Sequence, residues 1–206
     1  MDFEELKVYL PKFLSSDSER ALFEGLKDFP HNIDSRLYTL SLQDEENIFQ
    51  GDGISDLLVT NLPDTTIKPA KCMVLSNSCD ASFNNTRNFP SNLVYAPIVN
   101  LKKYHELLIK SSTKSKKDIN THIKSIKKQR ITQIFYLPKL NNHLDESIIF
   151  LDRVNSCSIE YLKSKSIQKE RFFTLSDYGA YLFVLKLSIH FSRIKDNVDR
   201  FKGIVK

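Results

Sequence analysis

Glycine is scarce in this chain, with five residues in 206, and none stands in a G-x-G-x-x-G or G-x-x-x-x-G-K-[ST] pattern. A backbone cradle for nucleotide phosphates needs such glycines, so dinucleotide-binding and P-loop chemistry are excluded. The three cysteines are odd in number and irregular in spacing. They make no disulfide framework and read as free thiols of a cytoplasmic protein. The five histidines (His31, His105, His122, His143, His190) are scattered, and no C-x-x-C or H-x-x-x-H pair offers ready zinc spacing. No metal or other cofactor is therefore expected. No apolar run approaches the ~18 residues of a membrane span. The longest, around Tyr181 to Ile189, is broken by Lys186. The opening Met1-Asp2-Phe3-Glu4-Glu5 is acidic and lacks the basic-then-apolar order of a signal peptide. The expectation is a cytoplasmic protein without membrane contact.

Hydrophobic residues make up 41% and charged residues 27%, the balance of a globular chain with room for a sizeable core. The net charge of +5 hides an asymmetry. Residues 1–50 carry five basic and eleven acidic side chains, net −6, whereas residues 101–130 carry ten basic and two acidic, net +8. Such a split suggests an acidic arm and a basic surface for a polyanion; the alternative is two solvated helical faces. Lys114, Lys116, Lys117, Lys124, Lys127, Lys128 and Arg130, with Lys68 upstream, are the candidate nucleic-acid contacts. Backbone contacts of this kind bring affinity without sequence choice.

Along the chain, Leu6, Tyr9, Leu10 and Phe13 suggest a short first helix. Ser16-Asp17-Ser18-Glu19 is a capping-box pattern opening a second, with Ala21, Leu22, Leu26 and Phe29 at helical spacing. Residues 31–50 read as a connection, giving an N-terminal helical arm over 1–47 and a main domain over 48–206. Ile54–Val59, Cys72–Leu75, Leu93–Ile98, Ile131–Leu137 and Ser147–Leu151 are short runs rich in β-formers. Between them a helical insertion at about 100–130 carries two stripes, Leu101/Tyr104/Leu107/Leu108 and Ile119/Ile123/Ile126, parted at Ser111–Ser115. Ser176-Asp177-Tyr178 opens a last long helix, apolar nearly all round and so expected to be buried against a sheet or a partner. The fold class is α+β.

The densest chemistry lies in Lys71-Cys72-Met73-Val74-Leu75-Ser76-Asn77-Ser78-Cys79-Asp80, read with Gln50-Gly51-Asp52. An apolar strand that ends in small polar residues, a thiol and an acid can deliver them to a pocket. Lys71, Ser76, Cys79 and Asp80 are the candidate catalytic residues. Lys68 or Lys71 would supply charge to a phosphate, and Asp52 or Asp80 a base, although both acids also suit turns. Cys79 with His105 as partner would make a nucleophile, but packing is the commoner role for a cysteine at a strand end. Cys72 reads as core, and His190 as a hydrogen-bonded structural histidine.

In order, these segments resemble the MazF/PemK type of toxin. Gln50-Gly51-Asp52 is similar to that family's opening Gly-Asp, and Cys72-Met73-Val74-Leu75-Ser76 to its second strand. Tyr95-Ala96-Pro97-Ile98 is similar to its third, with the characteristic proline. Phe135-Tyr136-Leu137-Pro138 and Asp145 to Val154 resemble its later strands, and Leu175-Ser176-Asp177-Tyr178 its final helix. The resemblance implies an SH3-like β-barrel closed by a long C-terminal helix, here with the N-terminal arm and the basic insertion added. It implies a metal-independent endoribonuclease acting on RNA in a toxin–antitoxin or phage-defence module. The implied partners are RNA or another nucleic acid, a protein antitoxin or defence-system partner, and a second copy of the chain. The family's usual arginine before the second strand falls near Ala70, and its usual hydroxyl after the proline falls at Val99. A non-catalytic binding module, engaging a protein partner or nucleic acid, is the alternative.

Overall fold

The runs of β-branched and aromatic residues form an antiparallel sheet that the helical segments cover, so the chain is α+β. The computed structural model describes residues 16–84 and 88–192. The first helix expected, at Leu6 to Phe13, lies outside them. In chain order the elements are α1 (Ser16–Lys27), β1 (Tyr38–Thr39), β2 (Gly53–Asn61), β3 (Asp64–Val74), β4 (Asn92–Asn100), α2 (Leu101–Ser111) and α3 (Lys116–Lys127). There follow β5 (Ile134–Leu137), β6 (Ser147–Phe150), β7 (Asn155–Ser158), α4 (Ile159–Lys163), α5 (Ile167–Glu170), β8 (Arg171–Leu175) and α6 (Asp177–Ser192). The strand order is β1-β8-β2-β3-β4-β6-β5, with β7 also on β4. The sheet is open, with β1 and β5 at its ends, so the described residues form no closed barrel.

Strand β4 is the hub. It pairs with β3 over Tyr95–Pro97, with β7 over Asn92–Tyr95 and with β6 over Ile98–Asn100. Strand β3 pairs with β2 along most of its length but with β4 only at Cys72–Val74. Its outer edge over residues 64–71 therefore meets no other described strand, and Lys68 and Pro69 sit there.

Alternation along β3 divides the core. Cys72 and Val74 face a cluster with Ile48, Ile54, Leu57, Leu93 and Tyr95. Met73 faces a second cluster with Leu37, Phe135, Leu137, Phe173 and Phe183. The insertion builds a third, in which Leu101 and Ile126 pack on Ile134, Tyr136, Ile148 and Phe150. The second stripe and the Leu101/Tyr104 part of the first form its packed face, whereas Leu107 is exposed; the two helices part at Ser112–Ser115.

Helix α6 packs on the sheet along one side, as its apolar run leads one to expect, and leaves its other side uncovered among the described residues. Ser176 caps it, its hydroxyl accepting from the Gly179 N–H at 3.2 Å. Only Gly179, Leu182, Phe183 and Lys186 are buried, while Val184, Leu185, Ile189 and Phe191 are exposed. Gly179 is required because a Cβ there would lie 2.2 Å from the Leu37 carbonyl oxygen. Helix α1 packs across α6 through Asn32, whose amide donates to the Gly25 carbonyl at 2.6 Å and accepts from the Tyr178 hydroxyl at 2.8 Å.

Arg171, which opens β8, is wholly buried with Asp52. Its Nε donates to Asp52 Oδ2 at 3.0 Å. Its Nη1 donates to the carbonyls of Leu42, Gln43 and Glu45 at 2.9, 3.3 and 2.6 Å, and its Nη2 to that of Asn47. Asp52 also accepts from the Phe49 N–H at 2.9 Å, the turn role that its neighbouring glycines suggest. Burial pushes its carboxyl above the usual range, opposed by that amide and by Arg171. Gly51, at φ +88°, makes the left-handed step before it, and a Cβ there would strike Leu175 at 2.5 Å.

Truncating one partner of such a pair strands a buried charge. Arg171→Met is expected to lower stability by about 3–5 kcal/mol in urea denaturation. Arg171→Lys should lose much of the same, because an ammonium lacks the planar fork that serves carboxylate and carbonyls together.

Candidate nucleic-acid interface

The polar residues after β3 are spent on local structure. Ser76 Oγ accepts from the Val94 N–H at 2.8 Å, and Ser78 Oγ from the Gln50 N–H at 3.0 Å. Asp80 closes a turn with Asn77, accepting from its amide at 2.8 Å while the Asp80 N–H donates back at 2.9 Å. Cys79 is exposed rather than packed, in a shallow hollow with Asn47, Ile48, Phe49, Ser82 and Asn84. His105, the partner considered for it, sits on α2 with Nε2 3.1 Å from Asn120 Oδ1 on α3 and lines a different hollow. Cys72 is core, and burial pushes its thiol up to about 12. His190 is half-buried, edge-on to Phe191 at 4.9 Å.

Lys71 stands apart from these residues. It is of opposite strand parity to Lys68, its ammonium lies 4.6 Å from the centre of the Phe172 ring, and it lines a groove. Three hollows of about 560, 1020 and 460 Å³ surround the β5–β6 loop and share Lys139. The first, against the insertion, holds Asn100, Lys102, His105, Lys127 and Glu146. The second holds Asp34, Tyr136, Asn141, Asn142 and Glu146. The third holds Lys71, Asn100, Asn141, Asn142, His143, Asp145 and Ser147. The loop is a tight tongue: the Leu140 N–H donates to the Leu144 carbonyl at 2.8 Å, and Asn141 takes φ 38° at its tip.

The groove floor is braced from the core. Glu146 Oε1 accepts from the Tyr136 hydroxyl and from Lys127 Nζ, each at 2.5 Å. Burial opposes ionisation of Glu146, but these two donors outweigh it and hold the carboxyl below its usual range. Burial and the adjacent Glu146 carboxylate push the Tyr136 phenol up, so it remains a donor. Gln129, at φ 55°, clasps the Tyr136 backbone: its amide donates to the carbonyl at 2.8 Å and its Oε1 accepts from the N–H at 3.1 Å. Beneath it, the buried Lys186 Nζ donates to Gln129 O at 2.6 Å and Oε1 at 3.1 Å.

Of the insertion's candidate contacts, Lys127 lines the groove. Lys114, Lys116, Lys117, Lys124, Lys128 and Arg130 are exposed beyond it, as is Lys68 on β3. Lys102, Lys139, His143 and the asparagines of the tongue were not singled out in the sequence. The turn signal of Pro138 to Asn142 marks the tongue but not what it faces. Among the described residues no group of His, Cys, Asp and Glu could hold a metal ion. No helix among them is long and apolar enough to cross a membrane.

Burial lowers the Lys186 amine to about 7, against ~10.4 in an unfolded chain. Between those values the unfolded chain holds a proton that the folded protein has released, so stability rises with pH across this window and is lost again toward pH 7. Lys186→Met is expected to flatten that slope, measured by denaturation at several pH values. No protein-family model matches the chain, and no curated protein matches it.

Proposed function

We propose that the protein binds single-stranded RNA along the groove around Lys139, as a MazF/PemK-like component of a toxin–antitoxin or phage-defence module in the cytoplasm. The observation that carries this reading is the gathering of Lys71, Lys102, Lys127 and Lys139 around adjoining hollows that share Lys139, beside the net +8 insertion. Cations spaced along a groove neutralise successive phosphates and release their counterions. Asn100, Asn141 and Asn142 add amides that donate to and accept from sugars or base edges. The exposed lysines of α3 extend the track. An SH3-like ancestry is supported by the β2–β3–β4 meander, the switch of β4 from β3 to β6 after Pro97, and the closing helix α6. The open strand order would then be a departure made by the insertion and β5–β6. Such binding requires no cofactor.

Cleavage is a second reading, favoured by one observation: Lys71, His143 and Asp145 line the same hollow. A base for the ribose hydroxyl and cations for the phosphate are what internal transfer requires. Ser76 and Asp80, held in their turns, are not part of it.

Fluorescence anisotropy with a labelled single-stranded RNA tests the binding. Lys71→Ala and Lys139→Ala are each expected to weaken it about fivefold at low salt and to reduce the slope of log K against log salt by about 0.7. Lys68→Ala should leave the groove's contribution unchanged. Equal loss in all three variants, or no binding at low salt, would refute the groove. Incubation of wild type with the same RNA tests the second reading: it expects fragments with 2′,3′-cyclic phosphate ends, absent for His143→Ala. Intact RNA at every protein concentration leaves binding alone.

A further inference from the structure

Three acids, Asp34, Asp145 and Glu146, line the hollows around Lys139 among the lysines, and Glu146 lines both the hollow against α3 and the one beside Tyr136. A phosphate cannot rest on a carboxylate, because like charges at contact repel. On the RNA-binding reading, on which this inference rests, the backbone must therefore pass along Lys71, Lys102 and Lys139 and leave Glu146 to meet something else. Its chemistry says what. Oε1 is occupied by Tyr136 and Lys127, each at 2.5 Å, which fixes the side chain and fills that oxygen's acceptor sites. Yet 42% of the side chain remains exposed and Glu146 lines both hollows, while these two donors both bind Oε1, which leaves Oε2 available as an acceptor. An ionised carboxylate oxygen accepts and never donates.

We propose that Glu146 is the base-selecting residue of this groove, accepting a hydrogen bond from the exocyclic amino group of an unstacked base. Cytosine, adenine and guanine each carry such a group. Uracil offers only an N–H between two carbonyl oxygens, and the carboxylate repels both. The preference is thus for single-stranded RNA with an amino-bearing base at this point and against uridine. The Tyr136 and Lys127 donors position the carboxylate; Glu146 itself touches the base.

Short oligouridylates carrying one central guanosine, cytidine or adenosine, or none, test this by anisotropy with the full chain. Wild type is expected to bind the substituted strands about five- to tenfold more tightly than all-uridine. Glu146→Gln, nearly isosteric and still an acceptor for Tyr136, should abolish that ratio, because its amide also donates to uracil carbonyls. Lys102→Ala, which removes a backbone contact and leaves Glu146 with both its donors, should weaken all four strands alike and preserve the ratio, whereas loss of the ratio in Glu146→Gln alone marks contact with the base. Equal wild-type binding to all four strands, or a preference that survives in Glu146→Gln, overturns the role of Glu146 and leaves RNA binding standing. No binding of any strand overturns RNA binding itself.

Discussion

The ion pair between Arg171 and Asp52 is the constraint on which the rest of the sheet depends. Neither side chain reaches water, so the hydrogen bonds of the pair are made inside the protein. Arg171 meets the carboxylate and four backbone carbonyls of residues 42–47, which binds a connection without regular structure to the first residue of β8. Asp52 in turn holds the Phe49 amide and sets the start of β2. Through β2 the register passes to β3, where Gly53 pairs with Met73 and Ile54 with Cys72. That register decides that Lys71 stands on the groove face while Cys72 points into the core. A buried charge pair is an expensive way to stabilise a fold. Here it fixes one alignment out of several that a short, bulged strand pairing would allow.

Much of the fold was legible in the sequence because local pattern and burial agree there. Val74, Leu93, Tyr95, Ile134 and Ile149 lie in strands their composition announces, and Leu101, Tyr104, Ile123 and Ile126 of the insertion's stripes lie on its docked face. Strand β7 was not legible, because Asn155-Ser156-Cys157-Ser158 owes its strand form to pairing with β4 rather than to propensity. Buried Arg171 and Lys186 could not be found either, since a charge in sequence reads as exposure until the groups that satisfy it are in place. The groove was hidden for a different reason. Lys71, Lys102, Lys127 and Lys139 come from β3, α2, α3 and the β5–β6 tongue, and only the pairing of β4 with β3 and β6 brings them together. Ser76 and Asp80 drew notice by chemistry alone, and their hydrogen bonds show them holding turns.

The polar chain from Lys186 through Gln129 and Tyr136 to Glu146 and Lys127 connects the core beneath α6 to the surface of the groove. The inner links, from Lys186 to Gln129 and Tyr136, are hydrogen bonds that would be costly to leave unmade in a buried site, and they hold Tyr136 in place beneath Glu146. A groove floor built this way is stiff, whereas the lysines at its rim keep long flexible stems. A rigid acceptor among mobile cations is the arrangement the proposed RNA-binding groove would use to follow a variable backbone path while keeping one point fixed.

The outer edge of β3 has a consequence for life in a crowded solution. Over residues 64–71 it leaves backbone groups that could template a strand from another chain. Pro69 removes one amide from that ladder, and Lys68 and Lys71 would set like charges side by side in any self-pairing. The protein thus carries its own deterrent against edge-to-edge polymerisation, and two of the three residues responsible are cations. Charge and solubility are here linked at one edge: a change that made it less basic would move the chain toward stacking on itself.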